Sequence, residues 1–433
     1  MQIRKPTAPS IVLFLLCVMY FLTYIDRVNI ATAASDIQRE FHLSKAQYGF
    51  AFSAFAYPYA VFQVIGGRLG DRFGPRRTLF VCGAIWAVAT ALTGFAVGLV
   101  SLIAFRVALG FGEGATFPTA TRAMQSWTPT GRRGFAQGVT HSFARLGNAV
   151  TPPIVAALIV WITWRGAFAV LGVASLVWVG VWWLYYRDDP RDHAGVTAAD
   201  LALLPAPDAA KAARPAVPWR RLVPRMLPVT LTYFCYGWSL WLFLTWIPQF
   251  FRDDPHLTVH LDLKKSALYS SGVFLAGVVG DALGGILSDY LLHRTGRVTF
   301  SRLVVIVIGM LGAAGCLIPV LFTRDNMLLA LCLSGGFFFL ELVIGPIWAV
   351  PMDIAPQYSG TASGLMNLGS ALAAIISPPV FGLIVDATGD WHLPFLGSIV
   401  LLIIGTALSF TMHPDRKFVD EAELAHPPRT PSP

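Results

Sequence analysis

Charged residues are scarce in this chain. Asp, Glu, Lys and Arg make up 13% of its 433 residues, against 55% hydrophobic ones. Soluble domains carry about 25% charged residues to cover their surface, so a soluble globular protein is excluded. Cysteine is equally sparse. Cys17, Cys82, Cys235, Cys316 and Cys332 all stand in apolar runs, with neither metal-ligand spacing nor the pairing pattern of a disulfide scaffold. No metal site and no cofactor is therefore expected. The nine histidines do not gather with paired acids at one end of the hydrophobic runs, which speaks against a membrane-embedded enzyme. A channel would need a filter loop or rings of one charge sign, and neither is present.

What fills the chain instead is apolar sequence, with a mean hydropathy of +0.61. Windows of about 20 apolar residues predict twelve membrane-spanning helices. They lie near 11–33, 47–69, 79–99, 101–124, 135–159, 163–186, 224–251, 266–293, 301–322, 327–350, 359–385 and 391–412. A signal peptide is excluded, because the run 11–22 lies too far from Ala31-Thr32-Ala33 and many more runs follow. The 32 Lys and Arg residues concentrate in alternate connections. By the positive-inside rule both termini are then expected in the cytoplasm, beneath the inner membrane. The net charge of +8 marks topology, and no nucleic-acid partner is expected. The expected layout is an N-terminal six-helix bundle over 1–186, a cytoplasmic linker over 187–223, a C-terminal six-helix bundle over 224–412, and a disordered cytoplasmic tail over 413–433. The linker is rich in Ala, Pro and Arg, with one short helix predicted from Thr197, where Asp200 completes a capping box.

Several polar side chains fall inside the runs. The first run closes with Thr23-Tyr24-Ile25-Asp26-Arg27-Val28-Asn29. At ~1.5 Å per residue, Asp26 and Arg27 lie deep in a ~30 Å hydrocarbon slab. Charges at that depth usually line a substrate or ion path; a water-exposed helix end is the alternative. Asp26, as Arg27's neighbour, is the expected partner whose protonation frees the guanidinium. The fourth run carries Arg106 and Glu113, seven apart and so on one helix face. They are either a titratable acid beside an arginine or part of a structural ion pair. Arg145 stands well inside the fifth run, which implies a cavity or an anion; a structural partner of Glu341 or another acid is the alternative. In the seventh, Tyr233 and Tyr236 share a cavity face or serve as packing. Asp281, Glu341, Trp348 and Asn367 are the sparser candidates of the second half. Its two acids are either further coupling groups or partners of an arginine in their own bundle.

The second half echoes the first. Gly284-Gly285-Ile286-Leu287-Ser288-Asp289 repeats the glycine-rich loop after the second run, and Ser377-Pro378-Pro379 echoes Thr151-Pro152-Pro153. Two six-helix bundles with a site at their interface follow from such a repeat. The first copy of the loop, Gly67-x-Leu69-x-Asp71-Arg72-x-Gly74-x-Arg76-Arg77, resembles the loop 2–3 signature of the major facilitator superfamily. Arg106, Gly110 and Gly112 resemble that family's fourth-helix pattern. The resemblance implies an all-α integral membrane fold of twelve transmembrane helices in two pseudo-symmetric six-helix bundles. It also implies a gating latch at Gly67, Asp71, Arg72, Gly74 and Arg76, with Asp289 in the second copy. The antiporter signature of the fifth helix is absent, since Gly147 is followed by Thr151-Pro152-Pro153.

Within the superfamily, Tyr24-x-Asp26-Arg27-x-Asn29 is similar to the first-helix motif of the anion:cation symporters, which include bacterial sugar-acid transporters. Tyr59 with Gln63, Leu244-Thr245-Trp246-Ile247-Pro248 and Gly364-Leu365-Met366-Asn367 agree with it. That resemblance implies proton symport of an organic carboxylate such as a hexonate, hexuronate or aldarate, by a monomer embedded in the lipid bilayer. Arg27 and Tyr59 would hold the carboxylate. Tyr24, Arg145, Tyr233, Tyr236, Trp348 and Asn367 would complete the substrate site, and Asp26, Arg106 and Glu113 would handle the proton. Ala144 and Tyr233 stand where sugar-acid relatives can carry glutamine, and Arg145 adds a positive charge. An aromatic or dicarboxylic acid is thus the alternative substrate, and an uncoupled facilitator or transporter-derived sensor the reading from another class.

Overall fold

The computed structural model describes residues 7–129, 133–205, 217–255, 257–258, 261–355 and 358–418; within these the side chains at 63, 64, 66–68, 71, 133–135, 137, 359 and 360 are not described. The described residues are helical, without a strand. The first half runs α1 Ala8–Thr32, α2 Ala34–Phe41, α3 Lys45–Ser53, α4 Ala56–Thr93, α5 Leu99–Gly114, α6 Thr116–Trp127 and α7 Arg133–Tyr185. A short α8, Ala198–Leu203, leads to the second half. That half runs α9 Trp219–Asp253, α10 Leu263–Thr295, α11 Val298–Leu317, α12 Asn326–Leu342, α13 Ile344–Ile354, α14 Ser359–Thr388 and α15 Leu393–Ser409.

Some of these helices are fragments of one membrane passage, and two contain a pair. The backbone of α4 turns at Gly74 (φ 80°, ψ 152°), just before Pro75, and α7 turns at Ile162 and Thr163. Short breaks separate α3 from α4, α5 from α6, and α12 from α13. Counted as passages, the described residues give twelve, each overlapping a window predicted from hydropathy. Only glycine suits the turn in α4: its φ is positive, and a Cβ there would lie 2.5 Å from the Asp188 carboxylate. The predicted linker helix is present as α8. Thr197 accepts from the Asp200 amide and Asp200 accepts from the Thr197 amide, at 3.2 and 3.0 Å.

The repeat seen in the sequence is also the pattern of packing. In the first half α1 packs on α7 and α4 on α5; in the second, α9 packs on α14 and α10 on α12. Small residues allow the same close approach in both. A Cβ on Gly110 of α5 would lie 2.2 Å from the Phe55 carbonyl, and one on Gly280 of α10 would lie 2.1 Å from the Phe338 carbonyl. The outer faces keep large apolar side chains exposed, among them Phe14, Val177, Leu275, Ile286 and Ile403, as lipid contact requires.

The halves meet along α3 with α14 and α7 with α10. Their polar contacts concentrate at one end. Arg252 donates to both oxygens of Asp36 at 2.8 and 3.0 Å, Ser35 to Asp253 at 2.7 Å, and Gln38 to Gln249 at 3.0 Å. Asp386 accepts from the amides of Lys45 and Ala46 at 3.0 and 2.8 Å. It thereby joins α14 of one half to the start of α3 in the other. Nearby, Glu40 accepts from Trp164 and Arg165 at 2.7 and 2.6 Å. The Arg165 guanidinium holds the Glu40 carboxyl below its ordinary value.

At the opposite end lie the two copies of the glycine-rich loop. The Arg76 amide donates to Asp188 at 2.9 Å and its guanidinium to the Trp183 carbonyl at 3.1 and 2.8 Å. In the second copy Arg302 donates to Ser288, Asp289 and Asp353 at 2.8, 3.0 and 3.1 Å. Arg72 overlies the neighbouring Phe73 ring at 5.2 Å. The side chains of Gln63, Gly67 and Asp71 lie outside the described residues.

Candidate functional site

Arg27 sits in the last third of α1 and is 5% exposed. Its Nε donates to Oε2 of Glu113, on α5, at 2.6 Å. Four rings surround the guanidinium: Tyr24, Phe55, Tyr59 and Phe117, with centroids 4.9, 5.3, 4.6 and 4.9 Å from its central carbon. Aromatic faces stabilise a desolvated cation, and they also keep water from the ion pair. Glu113 is fully buried. Arg27 Nη2 and Glu113 Oε1 are buried without a hydrogen-bond partner. The pair therefore retains an unused donor and an unused acceptor.

This geometry redistributes the partners expected from sequence. Asp26 does not pair with Arg27, because adjacent helical residues point to different faces. Its carboxylate accepts instead from Ser175 of α7 at 3.0 Å and from Asn29 at 3.5 Å. Arg106 and Glu113 share a face of α5, but two turns separate them by ~10 Å of helix rise. Arg106 donates instead to the Phe52 carbonyl at 3.4 Å and lies over the rings of Phe52 and Phe55, at 5.1 and 5.3 Å. Phe55 thus stands between the two arginines, 5.3 Å from each.

Arg145 of α7 faces the second half. Its Nε donates to Asp281 of α10 at 2.9 Å, and its Nη1 to Glu341 of α12 at 3.4 Å. The two acids were expected to be coupling groups or to neutralise an arginine in their own bundle, with Glu341 alternatively a structural partner of Arg145. They engage an arginine from the other bundle, because the rotated halves place α7 directly against α10. Tyr236 reaches Glu341 at 3.4 Å and stacks on Tyr233, centroids 5.1 Å apart; the Tyr233 hydroxyl accepts from the Trp348 indole at 3.0 Å. Tyr24 belongs to the first cluster, with its ring under Arg27. Asn367 is half-buried on α14, which packs against α9.

Sequence reading missed Phe55, Phe117 and Ser175. The first two carry a usable signal, since Phe55 precedes Tyr59 by four residues and Phe117 follows Glu113 by four, one helical turn in each case. Ser175 carries none, because only folding brings it to Asp26. Among the described residues no group of His, Cys, Asp and Glu is placed to hold a metal.

Comparison with known proteins bears on the chain as a whole. Residues 16–378 match the Major Facilitator Superfamily. A protein of Cupriavidus necator named a probable sulfoacetate transporter is 47% identical over 405 residues, 93% of each chain. A D-galactonate transporter of Escherichia coli is 32% identical over 416 residues, covering 92% of this chain and 95% of that one. Among solved structures, a bacterial homolog of the human lysosomal transporter Spinster superimposes with a TM-score of 0.79. It is inward-facing and unoccupied, and the match covers 96% of this chain and 100% of that one at 18% identity. At that identity the likeness speaks for the fold alone.

Proposed function

Because this chain belongs to the major facilitator superfamily, a family of multi-pass membrane transporters, we propose that it carries small organic anions across the inner membrane together with protons. One observation carries the reading: the caged guanidinium of Arg27 is bonded to the buried carboxylate of Glu113. A carboxylate or sulfonate leaving water needs charge-assisted donors, and Arg27 offers a planar fork of them. Ionised Glu113 competes for that fork. A proton on Glu113 releases it, so proton and anion favour each other's binding, by about 1–3 kcal/mol for typical reciprocal coupling. Arg106, behind Phe55, keeps the pocket positive while Glu113 is neutral. Asp26, held by Ser175, is an additional acid on this path.

With both termini in the cytoplasm, the end closed by Asp36–Arg252 and Asp386 faces outward, and the bound anion leaves inward when the halves rock. Residues 1–186 and 224–412 are the rocking bundles, 187–223 joins them on the cytoplasmic side, and the monomer is the working unit. Tyr233, Tyr236 and Trp348 give the second half an aromatic rather than amide-lined face. That favours a compact anion of the size of sulfoacetate, the solute named for the 47%-identical relative. A sugar acid read by Asn367 is the second reading, favoured by the galactonate-transporting relative.

Proteoliposome counterflow with labelled sulfoacetate and galactonate tests this. Exchange of one of them, with uphill accumulation under an inward proton gradient that a protonophore abolishes, is the expected result. Exchange that ignores pH and protonophore would leave only an uncoupled facilitator. No exchange of any organic anion would overturn the reading altogether.

A further inference from the structure

Arg145 belongs to the first half but gives its donors to the second, with Nε 2.9 Å from Asp281 Oδ2 and Nη1 3.4 Å from Glu341 Oε1. One guanidinium thus faces two carboxylates. With both ionised, the cluster keeps a net negative charge inside the membrane, where an uncompensated charge is costly. The two acids are not equivalent. Asp281 has the short contact, and its side chain is 19% exposed. Glu341 is fully enclosed and its contacts are longer. Its Oε2 lies at ion-pair distance from Arg145 Nη2, 3.2 Å, yet has no hydrogen bond. Close packing seals it: a Cβ on Gly277 of α10 would lie 2.4 Å from the Phe337 ring and 3.0 Å from Glu341 Cγ. The titratable surroundings are completed by His141, one turn earlier on α7, Tyr24 on α1, and Tyr233 and Tyr236 on α9.

We propose that Arg145, Asp281 and Glu341 form a second proton-binding site at the seam between the halves, with Glu341 as the group that takes the proton. The proposal rests on the symport reading above and adds one proton to that cycle. A proton on Glu341 Oε2 makes the cluster neutral: Arg145 and Asp281 remain the ion pair, and the protonated Glu341 accepts the weaker contacts. Because Arg145 is carried by the other half, rocking pulls it from both acids and opens Glu341 to water on the opposite side. The proton loaded in one state is exchanged in the other. The cycle then moves two protons with each anion, one along the path of Glu113 and Asp26 and one through Glu341.

Flux-reversal measurements on proteoliposomes test this, with the substrate gradient poised against a pH gradient at zero membrane potential, using sulfoacetate, or galactonate if that exchanges faster. The wild type is expected to move two protons per anion. Glu341→Gln is expected to move one while keeping counterflow. Asp281→Asn should do the same, because it leaves Arg145 and Glu341 as a balanced pair with no need of a proton; it also serves if the buried variant fails to fold. A wild-type ratio of one, or an unchanged ratio in either variant that retains counterflow, overturns the second site and leaves the symport reading standing. Loss of counterflow and melting temperature together in both variants makes the cluster a structural latch and also overturns it. A wild type that ignores the proton gradient overturns the symport reading first.

Discussion

Glu113→Gln separates proton coupling from anion binding. Glutamine keeps the shape of the acid and one hydrogen bond to Arg27, but it carries no charge. The 2.6 Å contact it replaces is charged at both ends and fully buried on the acid side. Removing one charge leaves Arg27 in its ring cage without a counter-ion, a change that costs about 3–5 kcal/mol when a buried pair is broken. The ligand-free variant should therefore melt at a lower temperature. A bound anion then becomes the counter-ion, so ligand should raise that temperature more than it does in the wild type. Affinity shows the coupling itself. In the wild type, raising the pH ionises Glu113, which reclaims Arg27, and anion binding should weaken by roughly 5–150-fold. The variant should bind at every pH about as well as the wild type does at its acid limit. It should exchange labelled anion between equal pools and fail to concentrate it. Thermal shift, binding across pH and proton-driven uptake read these outcomes. If Glu113→Gln still accumulates substrate uphill, or its affinity keeps the wild-type pH dependence, the acid is structural and the coupling scheme is wrong.

Arg27→Lys keeps the charge and loses the fork, and a hydrogen bond to a charged group is worth about 1.5–3 kcal/mol. Substrate affinity should fall by roughly 10–150-fold, by the conversion of 1.4 kcal/mol per decade, and near-wild-type binding would refute the assigned role. Gly49→Val tests the closed end: a Cβ at Gly49 would lie 2.5 Å from the Pro378 carbonyl, backbone of the opposite half. The variant should favour the state in which this end is open. A reporter thiol at Ser35→Cys should then be labelled faster than in the parent, and unchanged labelling would show that the contact does not govern closure.

Much of the fold was legible because a bilayer permits few solutions. Apolar runs long enough to cross it must become helices that satisfy their own backbone groups. The repeat of the glycine-rich loop and of the Pro-Pro pairs then implied two like halves. The turn at Gly74 and the capping box at Thr197 were also visible, since each depends on residues close in the chain. Buried polar residues could be named for the same reason: a charge inside an apolar run is conspicuous without any partner in view.

Partnership was another matter. Arg27 and Glu113 are 86 positions apart, and Arg145 lies 136 and 196 positions from its two acids. Adjacency in sequence suggested Asp26 for Arg27, and a shared helix face suggested Arg106 for Glu113. Both suggestions failed at the level of side-chain direction and helix rise, quantities that only a neighbouring helix can convert into contact. The sequence by itself determined which side chains are buried charges in a twelve-helix membrane protein. Tertiary structure alone decided which of them meet, because ion pairs act over a few ångströms, and the packing of the helices that carry them, such as α7 against α10, sets those distances.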